Sequence, residues 1–137
     1  SLHHRAMLLW ASTRLDGLME KKEQAAVLKA LFSLQRPDGG WAMASLLEGW
    51  EGHQRKDDSK QELEESDGYG TGFVTYVARQ GGVSAGDARL QKAIGWLKAH
   101  QRRSGRWFTR SPTRDSKHFI SNAGTAFAVM AIDACLP

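Results

Sequence analysis

The chain has 137 residues, of which 41% are hydrophobic and 25% charged, with a formal net charge of +4. We expect one compact soluble domain from this composition. No apolar run reaches the length of a membrane span, and a single cysteine, Cys135, excludes an internal disulfide. No nucleic-acid-binding motif is present, so we expect no nucleic-acid partner. The cellular compartment stays open, and a peripheral membrane association is compatible with the sequence.

Apolar residues recur at helical spacing along most of the chain, and no useful length alternates with the period of two that a strand requires. We predict five helices and one short additional helix, which in chain order cover 2–19, 22–35, 42–49 (the short one), 69–81, 87–101 and 120–135. The predicted fold class is therefore all-α.

Two of these helices end in the same phrase, and the second copy follows the first by 66 residues. In each copy a Gln ends the helix, and a turn with a Gly at the same place leads to a Trp: Gln35, Gly39 and Trp41, then Gln101, Gly105 and Trp107. A Gln amide can tie a helix end to the turn, and a Trp ring supplies apolar area with one N–H donor. We interpret both copies as structural clasps of a repeat, without a catalytic role.

A second element also recurs. Residues 70–77 resemble residues 124–131, and residues 5–11 have a similar apolar spacing. The chain therefore alternates inner-type helices, which are rich in small residues, with outer-type helices, which end in the Gln-Trp phrase. We predict helical hairpin repeats that stack on one another.

Charge is distributed unevenly between two segments. Residues 51–67 carry seven acidic and three basic side chains, and residues 98–118 carry seven basic side chains and one acidic one. We predict a solvated polar loop for 51–67. The basic segment could be a solvated loop, or it could bind a diphosphate, an acidic membrane surface, or the acidic loop of the same or a neighbouring molecule.

These features together resemble the squalene-cyclase and prenyltransferase superfamily, whose members carry Gln-Trp repeats on an (α/α) barrel. Residues 34–41 resemble the Gln-Trp repeat of triterpene cyclases, and residues 122–132 resemble the inner helix that follows such a repeat. The resemblance implies part of an (α/α) toroid and an isoprenoid or lipid ligand. Since a closed toroid needs about twice as many helices, we expect 1–137 to be a single domain that is a fragment or half-toroid. A homo-oligomer or the remainder of a longer chain would complete it.

The chemistry of that superfamily has no complete counterpart here. The Asp-x-Asp-Asp acid motif of triterpene cyclases does not occur, and Asp57-Asp58 lies in the polar loop, where carboxylates stay ionised. The prenyltransferase zinc site is matched most nearly by Asp67-Gly68-Tyr69, which has Tyr69 where a thiolate is required. We therefore expect no catalytic residue, metal or cofactor in this chain alone.

Aromatic side chains on the inner-type helices are the candidate ligand contacts. Trp10 lies on the first inner-type helix, and the candidate cavity lining consists of Tyr69, Phe73, Tyr76 and Phe127. Aromatic faces stabilise cations, and the same rings at helical spacing are also ordinary core residues. Our first hypothesis is a repeat domain that binds an isoprenoid without a complete catalytic site. The alternative is a non-catalytic helical-repeat scaffold for a protein or lipid partner, which a filled core would favour over an open cavity.

Overall fold

The computed structural model describes residues 1–47 and 54–137, and every regular element in these two ranges is helical. It contains a 3-10 helix, Met43–Leu47, and the α-helices α1 (Leu2–Ser12), α2 (Lys21–Ser33), α3 (Gly68–Gln80), α4 (Ala88–His100) and α5 (Phe119–Ala134). The predicted all-α class is confirmed for this part of the chain.

The predicted boundaries hold to within one or two residues at four helices, and the end of the first helix is wrong. α1 ends at Ser12 and does not continue to residue 19. The hydroxyl groups of Ser12 and Thr13 donate to the carbonyls of Leu9 and Trp10, at 2.6 and 2.7 Å, so they occupy acceptors of the last turn. The short helix predicted at 42–49 is the 3-10 helix, and residues 48 and 49 lie outside the described ranges.

The helices form two layers. The inner-type helices contact one another in chain order, with α3 between α1 and α5. The outer-type helix α2 packs on α1, and α4 packs on α3 and α5. Each hairpin of one inner-type and one outer-type helix therefore stacks on the next.

Glycine permits the closest contact in the inner layer. A Cβ atom built on Gly72 would lie 2.5 Å from the backbone nitrogen of Ala128, and one built on Gly124 would lie 2.9 Å from the backbone nitrogen of Tyr69. Side chains at these positions would push α3 and α5 apart. The small residues of the inner-type helices thus allow the backbones of α3 and α5 to contact each other directly.

The core consists of two clusters, and each includes one tryptophan of the repeated phrase. Trp41 belongs to the first cluster, together with Leu31 and Phe73. Trp107 belongs to the second cluster, together with Leu97. Both Trp side chains are buried, so each repeat has its own aromatic centre.

Candidate functional site

The four predicted aromatic residues lie in one cluster between α3 and α5. The ring of Phe127 is at its centre, with centroid distances of 5.4 Å to Tyr69, 5.1 Å to Phe73 and 6.3 Å to Tyr76. Tyr69 stacks on Phe73 at 5.6 Å. Edge-to-face and stacked rings at these distances attract one another beyond the area they bury. The four rings therefore form one aromatic cluster.

Two side chains of α1 complete this aromatic cluster. Trp10 meets Tyr76 and Phe127 edge-on, at 5.3 and 5.9 Å. His3 stacks on Phe73 at 4.7 Å. The sequence analysis placed Trp10 among the inner aromatic residues and did not single out His3. No local pattern marks His3, because its role depends on how α1 lies against α3.

The aromatic cluster has a buried half and a partly exposed half. Phe73 is fully buried and Tyr69 is 8% exposed, whereas Trp10, Tyr76 and Phe127 are half-buried. The cavity of about 110 Å³ described below has none of these five side chains in its lining. The rings pack against one another, and a ligand could meet the aromatic cluster at its half-buried rings.

The polar edge of the aromatic cluster is a pair formed by His3 and Tyr69. The Nε2 atom of His3 lies 2.8 Å from the hydroxyl oxygen of Tyr69. Burial, followed by the charges of His4 and the N-terminus, lowers the pKa of His3. Burial, followed by the charge of Asp67, raises the pKa of Tyr69 to about 12. Both groups are therefore neutral at pH 7, and the pair carries no charge toward a ligand.

The first Gln-Trp turn, residues 35–41, is closed by side-chain hydrogen bonds. The Nε2 atom of Gln35 donates to the Gly39 carbonyl at 2.8 Å. The Nε1 atom of Trp41 donates to the Leu31 carbonyl at 2.7 Å, and its backbone N–H donates to the Thr71 hydroxyl at 3.0 Å. The turn thus ties the end of α2 to α3.

The second Gln-Trp turn, residues 101–107, repeats these bonds. Gln101 Nε2 donates to the Gly105 carbonyl at 3.0 Å. The Nε1 atom of Trp107 donates to the Leu97 carbonyl at 2.8 Å, and its backbone N–H donates to the Thr125 hydroxyl at 3.1 Å. The threonine partners were not predicted, although a Gly-Thr pair begins both matched inner-type segments and could have revealed them.

Asp67 has a structural role that the sequence analysis did not predict. It is the N-cap of α3, and its carboxylate accepts from the backbone N–H groups of Gly70 and Met43, at 2.8 and 2.6 Å, and from the Thr109 hydroxyl at 3.1 Å. Burial raises the pKa of Asp67 to about 6, although these hydrogen bonds oppose the shift. An Asp directly before a helical segment is an N-cap signal, and it was available in the sequence.

Asp67 also borders a cavity of about 110 Å³. Met43, Ser66, Phe108 and Arg110 contribute to its wall. A carboxyl group with a raised pKa is the kind of group that general acid catalysis uses. All the donors described above hold Asp67 in place, however, so its evident role is to join the turn at 41–43, the segment at 109 and the start of α3.

Arg55 is the one buried residue within 54–67, and the other residues of this described part of the polar loop are partly or fully exposed. Arg55 is 2% exposed and forms ion pairs with Asp57 and Asp115 at 2.8 and 2.7 Å. It also donates to the carbonyl of Ser111. Arg110 pairs with Asp115 at 2.7 Å. The acidic loop thus contacts the basic segment of the same molecule, while residues 51–53 lie outside the described ranges.

The structure also bears on the acidic pair, the metal ligands and the membrane spans that were considered from the sequence. Asp57 and Asp58 are exposed, and hydrogen bonds from Arg55 and Ser59 lower the pKa of Asp57, which keeps it ionised. Within residues 1–47 and 54–137, no three His, Cys, Asp or Glu side chains are grouped as a metal site would require. None of the helices in these ranges has the length and apolar character needed to cross a membrane.

No family model, curated protein or solved structure matches this chain. The internal repeat, the aromatic cluster and the two turns are the features of the molecule that bear on its function.

Proposed function

We propose that this chain is a repeat domain of the squalene-cyclase and prenyltransferase type, with hairpins that form part of an (α/α) toroid. The support comes from the two Gln-Trp turns. Each uses the same three bonds: Gln amide to Gly carbonyl, Trp indole to Leu carbonyl, and Trp backbone to Thr hydroxyl. The first two bonds span 4 and 10 residues in both copies, and the third reaches a threonine of the next inner-type helix, as is expected of stacked repeats.

Within this architecture, the half-buried face of the aromatic cluster contacts an isoprenoid ligand. The observation that carries this function is that three successive inner-type helices each contribute one half-buried ring to the same surface: Trp10, Tyr76 and Phe127. A ligand that covers apolar area of these rings gains about 25 cal/mol of binding free energy per Å² removed from water. A cationic ligand gains about 0.5–2 kcal/mol more from the ring faces.

The chain contacts this ligand without completing a reaction by itself. A protonating acid has to reach the substrate. Asp57 and Asp58 are exposed on the polar loop, away from the aromatic cluster, and Asp67 is engaged as the N-cap of α3. The residues of this chain therefore provide a binding wall, and other residues would supply the proton.

A second candidate function is a non-catalytic scaffold for a protein or lipid partner. It is favoured by the burial of Tyr69 and Phe73, whose rings both pack against His3 and Phe127. In this case the aromatic cluster serves only as core.

A titration with farnesol and with a tertiary-amine analogue of farnesol separates the two functions. We expect NMR shifts of the Tyr76 and Phe127 ring protons, and tighter binding of the amine, by up to about tenfold. Phe127→Ala should weaken both ligands by about tenfold or more. Phe119→Ala is the matched control, because Phe119 is 76% exposed and outside the aromatic cluster. Absence of binding by either compound would favour the scaffold.

A further inference from the structure

The two Gln-Trp turns have different neighbours. A Cβ atom built on Gly39 would lie 2.8 Å from the backbone carbonyl oxygen of Lys92, whereas one built on Gly105 would meet only Gln101 Nε2, at 4.0 Å. Gly39 is buried, and Gln101 and Gly105 are exposed. The second turn therefore presents to solvent a surface that the first turn buries.

The first turn indicates what such a surface accepts, because α4 covers it. Gln35 Nε2 donates a second hydrogen bond to the Arg89 carbonyl in the first turn of α4, at 2.8 Å. Gly39 faces the backbone of Lys92, one turn further along. Trp96 Nε1 donates to the Asp38 carboxylate at 3.1 Å. Two of the three contacts are made to the helix backbone, so the turn recognises a helix with few demands on its sequence.

The second turn differs from the first mainly in charge. At the places of Arg36, Pro37 and Gly40 it carries three exposed guanidinium groups, on Arg102, Arg103 and Arg106. The helix that covers the first turn brings two cations, Arg89 and Lys92. Such a helix would meet repulsion at the second turn, and an acidic helix would be attracted.

We propose that the second Gln-Trp turn docks an acidic α-helix of a partner protein. Gln101 donates its free amide hydrogen to a carbonyl in the first turn of that helix, and Gly105 lies against the helix backbone one turn later. Acidic side chains at the places of Arg89 and Lys92 are attracted by the positive charge that Arg102, Arg103 and Arg106 give to the second turn.

A second copy of this chain does not fit the surface in the same way. In each repeat an inner-type helix precedes an outer-type helix. At the second turn α5 already occupies the inner-type place, and the docked helix would take the outer-type place. If a copy placed its α2 on the second turn, its own α1 would overlap α5. A single helix has no such conflict, so the proposal is specific to a partner that presents one helix.

The experiment is an NMR titration of the labelled chain with two synthetic peptides. Both have the sequence of residues 86–101, and one carries Arg89→Glu and Lys92→Glu. We expect the acidic peptide to shift the Gln101 side-chain amide and the Gly105 backbone amide. It should bind at least about tenfold more tightly than the unchanged peptide at low salt, with a ratio that shrinks as salt screens the charges.

Two variants test the docking geometry. Gly105→Asn keeps the positive φ of 81°, which Asn tolerates, and places a side chain against the incoming helix. It should weaken the acidic peptide by about tenfold or more, as should Gln101→Ala. Gly17→Asn is the matched control, since Gly17 has φ of 79° and nothing within 4 Å of its Cβ position.

Three results would overturn the proposal. The first is no shift at Gln101 or Gly105 at a peptide concentration of about 1 mM. The second is equal binding of a scrambled peptide with the same acidic composition, which would indicate charge attraction alone. The third is equal binding by the Gly105→Asn variant and the control, which would place the peptide elsewhere, for example on the exposed side of α1. None of these results depends on isoprenoid binding.

Discussion

The first and second Gln-Trp turns have the same internal structure and different surroundings. In both, the Gln amide bonds the Gly carbonyl and the buried Trp bonds a Leu carbonyl ten residues earlier. Within residues 1–47 and 54–137, only the first is covered by a further helix, α4, which approaches Gly39 with its backbone. The bonds within the turn therefore belong to each repeat, while the burial of the turn depends on the next outer-type helix.

The comparison also separates two sources of stability. The Trp residues stabilise the hairpin to which they belong, so their contribution should be the same in both copies. The Gln and Gly residues stabilise the junction between neighbouring hairpins, so their contribution should be large only in the first copy. Substitutions at matched positions can measure the two contributions one by one.

The largest effect is expected at the buried tryptophans. Trp41 is 0% and Trp107 is 2% exposed. Trp41→Ala and Trp107→Ala should each lower the free energy of unfolding by about 4 kcal/mol, since both leave a large cavity. Urea denaturation measures the loss. The variants Trp41→Phe and Trp107→Phe serve as controls that keep most of the ring and remove only the indole donor. If either alanine variant lost less than about 1 kcal/mol, the turns would not be equivalent.

The next effect concerns the carboxyl group of Asp67, which joins Met43 and Thr109 to the start of α3. Because the pKa of Asp67 is raised to about 6 in the folded state, the folded chain binds a proton that the unfolded chain releases between about pH 4 and 6. Stability should therefore fall as pH rises through this window. The full change is about 3 kcal/mol and should be absent in Asp67→Asn.

The measurement is urea denaturation of wild type and Asp67→Asn between pH 4 and 7, read as the difference between the two proteins. Taking the difference cancels the groups whose pKa is lowered, such as Asp57 and Asp115. A difference that stays flat or rises with pH would mean that the donors from Met43 and Gly70 outweigh burial.

A smaller effect is expected at the two glutamines. Gln35 donates two hydrogen bonds, to Gly39 and Arg89, whereas Gln101 donates one described bond, to Gly105. Gln35→Ala should cost about 2 kcal/mol and Gln101→Ala about 0.5 kcal/mol, as measured by thermal or urea unfolding. Gln91→Ala is a suitable control, because Gln91 is exposed and donates one bond to a backbone carbonyl, at 2.6 Å. Equal losses of unfolding free energy in Gln35→Ala and Gln101→Ala would argue against the covering of the first turn by α4.

Much of this fold was predictable because it depends on local signals. Helical spacing gave the five helices, and the repeated Gln, Gly and Trp located both turns to the residue. The aromatic residues Tyr69, Phe73, Tyr76 and Phe127 could be grouped because the repeat aligns one inner-type helix with the next. In each case a nearby pattern in the chain determines the structure.

The remaining features depend on contacts between distant segments. Arg55 pairs with Asp115, sixty residues away, and no local pattern distinguishes it from the other charges of the polar loop. His3 joins the aromatic cluster only because α1 lies against α3. The early end of α1 reflects competition by the hydroxyl groups of Ser12 and Thr13, which outweighs the apolar spacing beyond them.

The most direct test of the difference between the two turns compares Gly39→Ala with Gly105→Ala. Both glycines have positive φ, 93° and 81°, so both substitutions share a backbone cost of about 1 kcal/mol. Only the methyl group at position 39 would meet the backbone of Lys92. We predict that Gly39→Ala loses about 2 kcal/mol more unfolding free energy than Gly105→Ala. Equal losses would contradict the account, because α4 would then not cover the first turn.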